Sequence, residues 1–249
     1  MGKDRPGQGA EGGGQGRRLI LHERDGAARL YGRSKGHALS PRMQRLMAEA
    51  LPRLKIDLDQ PAPADLKTLF EAPVSDVVLE IGFGGGEHLV AGAIAHPETG
   101  FIGCEPFTNG VAKLVRAVEE AGLANVRIHD NDARDLLDWL PDESLERVDL
   151  LYPDPWPKTR HWKRRFVGAD NLDRLVRVLK PGGIFRFASD IDSYVAWTLT
   201  EVRRHGRFDW LARSAADWRT PWPGWPGTRY EAKALREGRK GHYLTFQRP

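Results

Sequence analysis

A doubly wound, mainly parallel α/β sheet is the fold class that this 249-residue sequence predicts. From residue 74 onward, short apolar runs of buried-strand type alternate with stretches of helical period, the succession expected when each strand returns through a helix. The first such run, Val77 to Ile81, breaks into Gly82-Phe83-Gly84-Gly85-Gly86 ahead of a helix, and a glycine turn between strand and helix is where such sheets receive ligands. The second run ends on a carboxylate, Glu105, 19 positions after Gly86.

In chain order, residues 1–16 are rich in glycine and charge, lack the apolar segment of a signal peptide and read as a disordered tail. Residues 17–56 form a basic N-terminal arm and a helix. The arm carries Arg17, Arg18, Arg24, Arg29, Arg33, Lys35, Arg42 and Arg45, and is expected either to order on a phosphate backbone or to lead, solvated, into the helix. Ser40-Pro41 has the form of an N-cap followed by proline at the first helical position, and Pro52 is expected to stop the helix. Residues 57–249 make up the main domain. Its predicted strands are 77–81, 100–105, 126–129, 147–151 and 184–188, with 208–212 and 243–247 as a closing pair. Helices are expected at 87–95, 111–121 (ended by Gly122), 136–140, 171–179 and 194–205.

The most information-rich stretch is Leu150 to Arg165, in which the fourth strand runs into Pro153, Pro155 and Pro157 with Asp154 and Trp156 between them. Proline fixes its own φ and biases the preceding residue towards extended geometry, so a carboxylate and an aromatic ring should be stiffly held at a strand's end. Lys158, Arg160, Lys163, Arg164 and Arg165 follow, interleaved with His161 and Trp162. Cations with aromatic platforms among them suit a nucleic acid. The net charge is only +4, from 38 basic and 34 acidic residues, so it is the clustering that points to a polyanion. One cysteine, Cys104, leaves no internal disulfide and no cysteine-based zinc cluster, and fits a reducing, cytoplasmic setting. No apolar run approaches the ~20 residues that cross a bilayer, and no metal site is read.

Glycines 82, 84 and 86 allow close approach of a ligand to the backbone. A dinucleotide fingerprint would place its third glycine at position 87, which is Glu87, a poor neighbour for a pyrophosphate. The spacing favours a ligand without phosphates, and Glu80 suits a cationic or hydroxyl-bearing group. Glu105 is placed to take both hydroxyls of a ribose. Asp132, with the backbone of Ala133 beside it, is placed to accept from an adenine amino group; Asp130 is the alternative, and either could instead cap the short helix.

Taken together, Glu80-Ile-Gly-Phe-Gly-Gly-Gly, Glu105, Asp132-Ala133, Pro153-Asp154-Pro155-Trp156 with Lys158, Arg160 to Arg165, Ser189-Asp190 and Thr228-Arg229-Tyr230-Glu231 resemble the bacterial tRNA (guanine-N7)-methyltransferase family, in order from about residue 28 to the C-terminus. The resemblance implies a seven-stranded, Rossmann-like class I methyltransferase that uses S-adenosylmethionine and methylates N7 of a guanosine in the variable loop of tRNA. It assigns Glu80, Gly82, Gly84, Gly86, Glu105, Asp132, Ala133 and Asp154 to the cofactor, with Asp154 also the catalytic residue. Lys158, Asp190, Thr228, Arg229, Tyr230 and Glu231 go to the substrate, and Arg160, His161, Trp162, Lys163, Arg164 and Arg165 to RNA contact. Pro157, Trp162 and Arg229 depart from what other members often carry. The partner implied is tRNA, without a membrane or an obligatory protein partner. Trp218, Trp222 and Trp225 either stack on bases or pack their loop onto the core. The competing readings are an adenine-amine methyltransferase, a catalytically silent RNA-binding protein and an NAD oxidoreductase.

Overall fold

The computed structural model describes residues 36–249; the 1–16 tail and residues 17–35 of the basic arm lie outside that range. Seven strands form one sheet in the order β3-β2-β1-β4-β5-β7-β6. They are β1 (Asp76–Ile81), β2 (Thr99–Cys104), β3 (Val126–His129), β4 (Leu145–Leu151), β5 (Leu179–Ser189), β6 (Asp209–Trp210) and β7 (His242–Gln247). The first five in spatial order are parallel, and β7 runs antiparallel between β5 and β6. The chain order reverses between β1 and β4, and the crevice beyond the C-terminal ends of those two strands is where such sheets bind ligands.

The helices are α1 (Pro41–Leu54), α2 (Glu87–Ala95), α3 (Thr108–Ala121), α4 (Ala133–Trp139), α5 (Ala169–Val178), α6 (Asp192–His205), α7 (Ala216–Arg219) and α8 (Arg229–Arg236). Because strand side chains alternate between faces, Val77, Leu79 and Ile81 pack with Leu136, Leu172, Leu175 and Val202 on one side. Val78 joins Leu89, Val111, Leu114 and Val118 on the other. The same alternation turns Glu80 towards the α2 side.

Local signals fix many of the boundaries. Ser40 caps α1 by accepting from the Met43 N–H, and Gly122 ends α3 at φ 61°. Pro52 does not stop α1, which continues to Leu54. Proline removes one N–H from the ladder, but burial of Leu54 keeps the last turn wound. Lys180-Pro181-Gly182-Gly183, between the predicted helix 171–179 and strand 184–188, is a run of turn-forming residues; it is included in β5 but interrupts it, pairing jumping from Leu145–Leu179 to Arg147–Ile184. The expected strand at 208–212 shortens to Asp209–Trp210, with Phe208 buried against Phe185. Two of the pre-proline residues depart from extended geometry: Tyr152 and Trp156 have φ of 50° and 44°. Backbone held in the left-handed region at a strand's end is strain of a kind that clusters at functional sites.

Candidate active site

Three glycines shape the turn after β1, each for its own reason. Gly82, at φ 73°, faces open space, with no atom within 4 Å of where a Cβ would stand. At Gly84, φ 60°, a Cβ would lie 3.0 Å from both the Arg229 guanidinium and the Tyr230 ring. At Gly86, φ 80°, it would be 2.8 Å from Leu114. The turn is therefore open at Gly82, roofed by the start of α8 at Gly84 and seated on α3 at Gly86.

Two buried carboxylates flank it. Glu105 accepts the Gly84 N–H at 2.8 Å and the Phe107 N–H at 2.9 Å. Burial pushes its carboxyl above the usual range, and the two backbone donors work the other way. Glu80 lies 2.7 Å from Nδ1 of His88. Burial raises Glu80 as well, opposed by the His88 hydrogen bond. Further along the sheet, Asp132 caps α4 by accepting the Arg134 N–H at 2.9 Å and also holds the Arg134 guanidinium. Ala133 is buried in the first turn. Asp130 pairs with Lys55 at 2.8 Å, so of the two acids it is Asp132 that caps the short helix.

Asp154 follows β4 on the strained Tyr152–Trp156 segment. Among the described residues its carboxylate has no hydrogen-bond or ion-pair partner, and loss of hydration within the loop raises its pKa. β4 pairs with β1 up to Ile81↔Leu150, so the segment that carries Asp154 leaves the sheet next to the strand that runs into the glycine turn; the charge of Asp154 adds a small further raise to Glu105. Lys158 stands exposed just before a 3₁₀ turn, Thr159–Arg164.

The basic cluster divides in two. Arg160 and Lys163 are exposed, and Arg164 lies 5.0 Å over the Trp156 ring. His161 is held below the usual imidazole pKa by reduced hydration and by Arg164, Arg160 and Lys158. Arg165, expected at the RNA surface, is buried instead: it donates to the Pro155 carbonyl and to Ser193 and stacks on Trp162 and Tyr194. Trp162, between Arg165 and Trp197, is likewise a packing residue, because the guanidinium and the neighbouring indole cover its ring.

At the far side of the crevice, Asp190 accepts from Arg239 at 2.5 Å. Thr228 caps α8 by accepting the Glu231 N–H at 3.0 Å. The Glu231 carboxylate is buried, where it accepts from Trp225 Nε1 at 2.7 Å and from the Tyr243 hydroxyl. Of the 228–231 segment, Arg229 and Tyr230 therefore present themselves to the glycine turn while Glu231 anchors the loop. Trp222 donates to Thr245, and Trp218 stacks on His242 at 5.2 Å, so these tryptophans pack their loop onto β7. Sequence reading missed His88 and Arg239, whose partners are set by the fold and not by a motif.

These residues fit S-adenosylmethionine: a glycine turn with an open face at Gly82, between two buried carboxylates, suits a ligand with an ammonium group and ribose hydroxyls. A protein-family model described as "Putative methyltransferase" matches residues 75–244. The fold is similar to that of the 16S rRNA methyltransferase KamB, at 17% identity, TM-score 0.53 and coverage of 76% of this chain and 95% of that one. Fold and site together define a Rossmann-like methyltransferase of class I. Curated tRNA (guanine-N(7)-)-methyltransferases are similar over nearly the whole chain: that of Brucella melitensis biotype 1 is 59% identical over 91% of this chain and 97% of its own length, and that of Mesorhizobium japonicum 61% over 88% and 94%. The chain belongs to the tRNA (guanine-N(7)-)-methyltransferase family.

Proposed function

We propose that this protein transfers a methyl group from S-adenosylmethionine to N7 of a guanosine in the variable loop of tRNA. The supporting observation is the Asp154 carboxylate, which among the described residues has no partner and sits between Tyr152 and Trp156 at the end of β4, the strand next to the one that leads into the glycine turn. S-adenosylmethionine supplies an electrophilic methyl group on a sulfonium. Guanine N7 carries an in-plane lone pair and no proton, so the chain needs no general base and its task is placement and electrostatics. Holding reactants in line can supply roughly 7–11 kcal/mol of a barrier.

Glu80 and Glu105 receive the cofactor's ammonium and ribose hydroxyls, and the Asp132–Ala133 corner receives its adenine. Asp154 accepts the guanine N1 and N2 hydrogens or faces the purine as it becomes cationic, which stabilises charge that exists only at the transition state. Lys158 holds a phosphate or guanine O6. Arg160, Lys163 and Arg164 neutralise backbone phosphates irrespective of sequence, so recognition comes from tRNA shape. The cytoplasm is the setting this reading implies; no described helix is long and apolar enough to cross a membrane.

Labelled methyl transfer to unmodified tRNA, followed by borohydride and aniline, tests the reading. Chain cleavage at one variable-loop guanosine is expected. Label without cleavage would move the reaction to another atom, and tRNA bound without label would leave an RNA-binding protein.

A further inference from the structure

His88, paired with Glu80 beside the glycine turn, is absorbed by none of the roles above. His88 and Glu80 are almost fully enclosed, their side chains 11% and 7% exposed, with Nδ1 and Oε2 2.7 Å apart. The other side of His88 meets Trp225, ring centroids 4.9 Å apart. Trp225 in turn donates to Glu231, which also takes the Tyr243 hydroxyl of β7. A continuous set of contacts thus runs from the carboxylate at the end of β1, through one imidazole, to the loop that carries Thr228–Glu231.

We propose that His88 is a positioning residue serving both subsites: its Nδ1 fixes the Glu80 carboxylate for the cofactor's ammonium, and its ring seats Trp225 and so places the 228–231 segment against the guanosine. This rests on the cofactor and substrate reading given above. A carboxylate that receives a ligand cation gains from being oriented beforehand, since less freedom is lost on binding. Glu80 can accept from both His88 and an ammonium, because a carboxylate has about four lone-pair sites.

The charge on the imidazole then matters. The groups facing His88 are Glu80 from β1, Asp149 and Arg147 from β4, and the neutral Trp225; Arg147 and Asp149 pair with each other at 3.0 Å. Burial lowers the His88 pKa, but the Glu80 hydrogen bond and charge outweigh it and leave the imidazole above its ordinary value. Protonated, His88 cancels the charge of Glu80 and opposes the arriving ammonium. Neutral, it still donates through Nδ1 and leaves the carboxylate's charge to the ligand.

Calorimetric titration of the full chain with S-adenosylhomocysteine from about pH 5.5 to about pH 8 tests this, because histidine is the side chain that changes charge in that window. Wild-type affinity is expected to rise with pH, by up to about tenfold per unit below the His88 transition, since one proton must leave. His88→Asn keeps an N–H for Glu80 but loses the titration and the ring: its affinity should be flat with pH, while KM for tRNA rises several-fold. His88→Phe keeps the ring and loses the donor: cofactor affinity should fall with KM for tRNA little changed. A flat wild-type profile, or two variants with the same pattern of losses, would overturn the proposal. Failure of the wild type to bind S-adenosylhomocysteine at any pH would instead overturn the cofactor reading itself.

Discussion

Arg165 donates its Nε–H to the Pro155 carbonyl at 3.0 Å, and its other nitrogens reach the carbonyl and hydroxyl of Ser193 at 2.9 and 3.1 Å. One guanidinium therefore fastens the loop that carries Asp154 to the start of α6. Removing it takes away three part-buried hydrogen bonds, each worth roughly 0.5–1.5 kcal/mol, together with the packing of the buried guanidinium on Trp162 and Tyr194. Arg165→Ala is expected to lower urea stability by roughly 2–4 kcal/mol. Lysine should restore little, because it lacks the planar fork. The salt dependence of tRNA binding should stay as in wild type; a reduced slope would return Arg165 to the RNA surface.

The exposed cations should behave in the opposite way. Replacing Lys158, Arg160 and Lys163 with alanine is expected to weaken tRNA binding and to reduce the slope of log affinity against log salt by about one for each phosphate that is no longer neutralised. Cofactor affinity, measured by calorimetry, and urea stability should hardly move. An unchanged salt slope would mean that tRNA approaches from another face.

Gly110, in the first turn of α3, lies directly beneath the glycine turn: a Cβ there would stand 2.1 Å from the Gly84 carbonyl oxygen. Backbone cannot swing aside as a side chain can. Gly110→Ala is therefore expected to push the turn off Glu105, lowering affinity for S-adenosylhomocysteine about tenfold and stability by roughly 1–3 kcal/mol, the usual cost of overpacking. Retained affinity would show that the Gly84–Glu105 hydrogen bond does not shape the cofactor site.

The parallel sheet, the glycine turn and the position of Asp154 were legible in the sequence because each is written locally, as strand runs, spaced glycines and a proline-framed carboxylate. The caps at Ser40, Asp132 and Thr228 also rest on neighbouring residues, although α8 itself was not foreseen. What was not legible depends on residues brought together by the fold. Arg165 looks like its basic neighbours until Ser193, Tyr194 and Trp197 of α6 arrive beside it. Nothing near His88 marks it until the strand-to-helix turn lays it over Glu80. Pro52 stayed helical because burial of Leu54 outweighed local preference, whereas at Lys180 to Gly183 local preference still shows, with Gly182 at φ 80° and the pairing of β5 interrupted.

Single-turnover methyl transfer by Asp154→Asn, with cofactor and tRNA both saturating, tests the central claim most directly. The raised carboxyl of Asp154 means that its charged, active form is lost as pH falls through that elevated value, so wild-type rates should decline on acidification. The asparagine variant should bind both ligands nearly normally, transfer methyl about 10²–10³-fold more slowly, as when a group that stabilises transition-state charge is removed, and show no such decline. A variant that transfers methyl at the wild-type rate, with the wild-type pH profile, would contradict the assignment of Asp154.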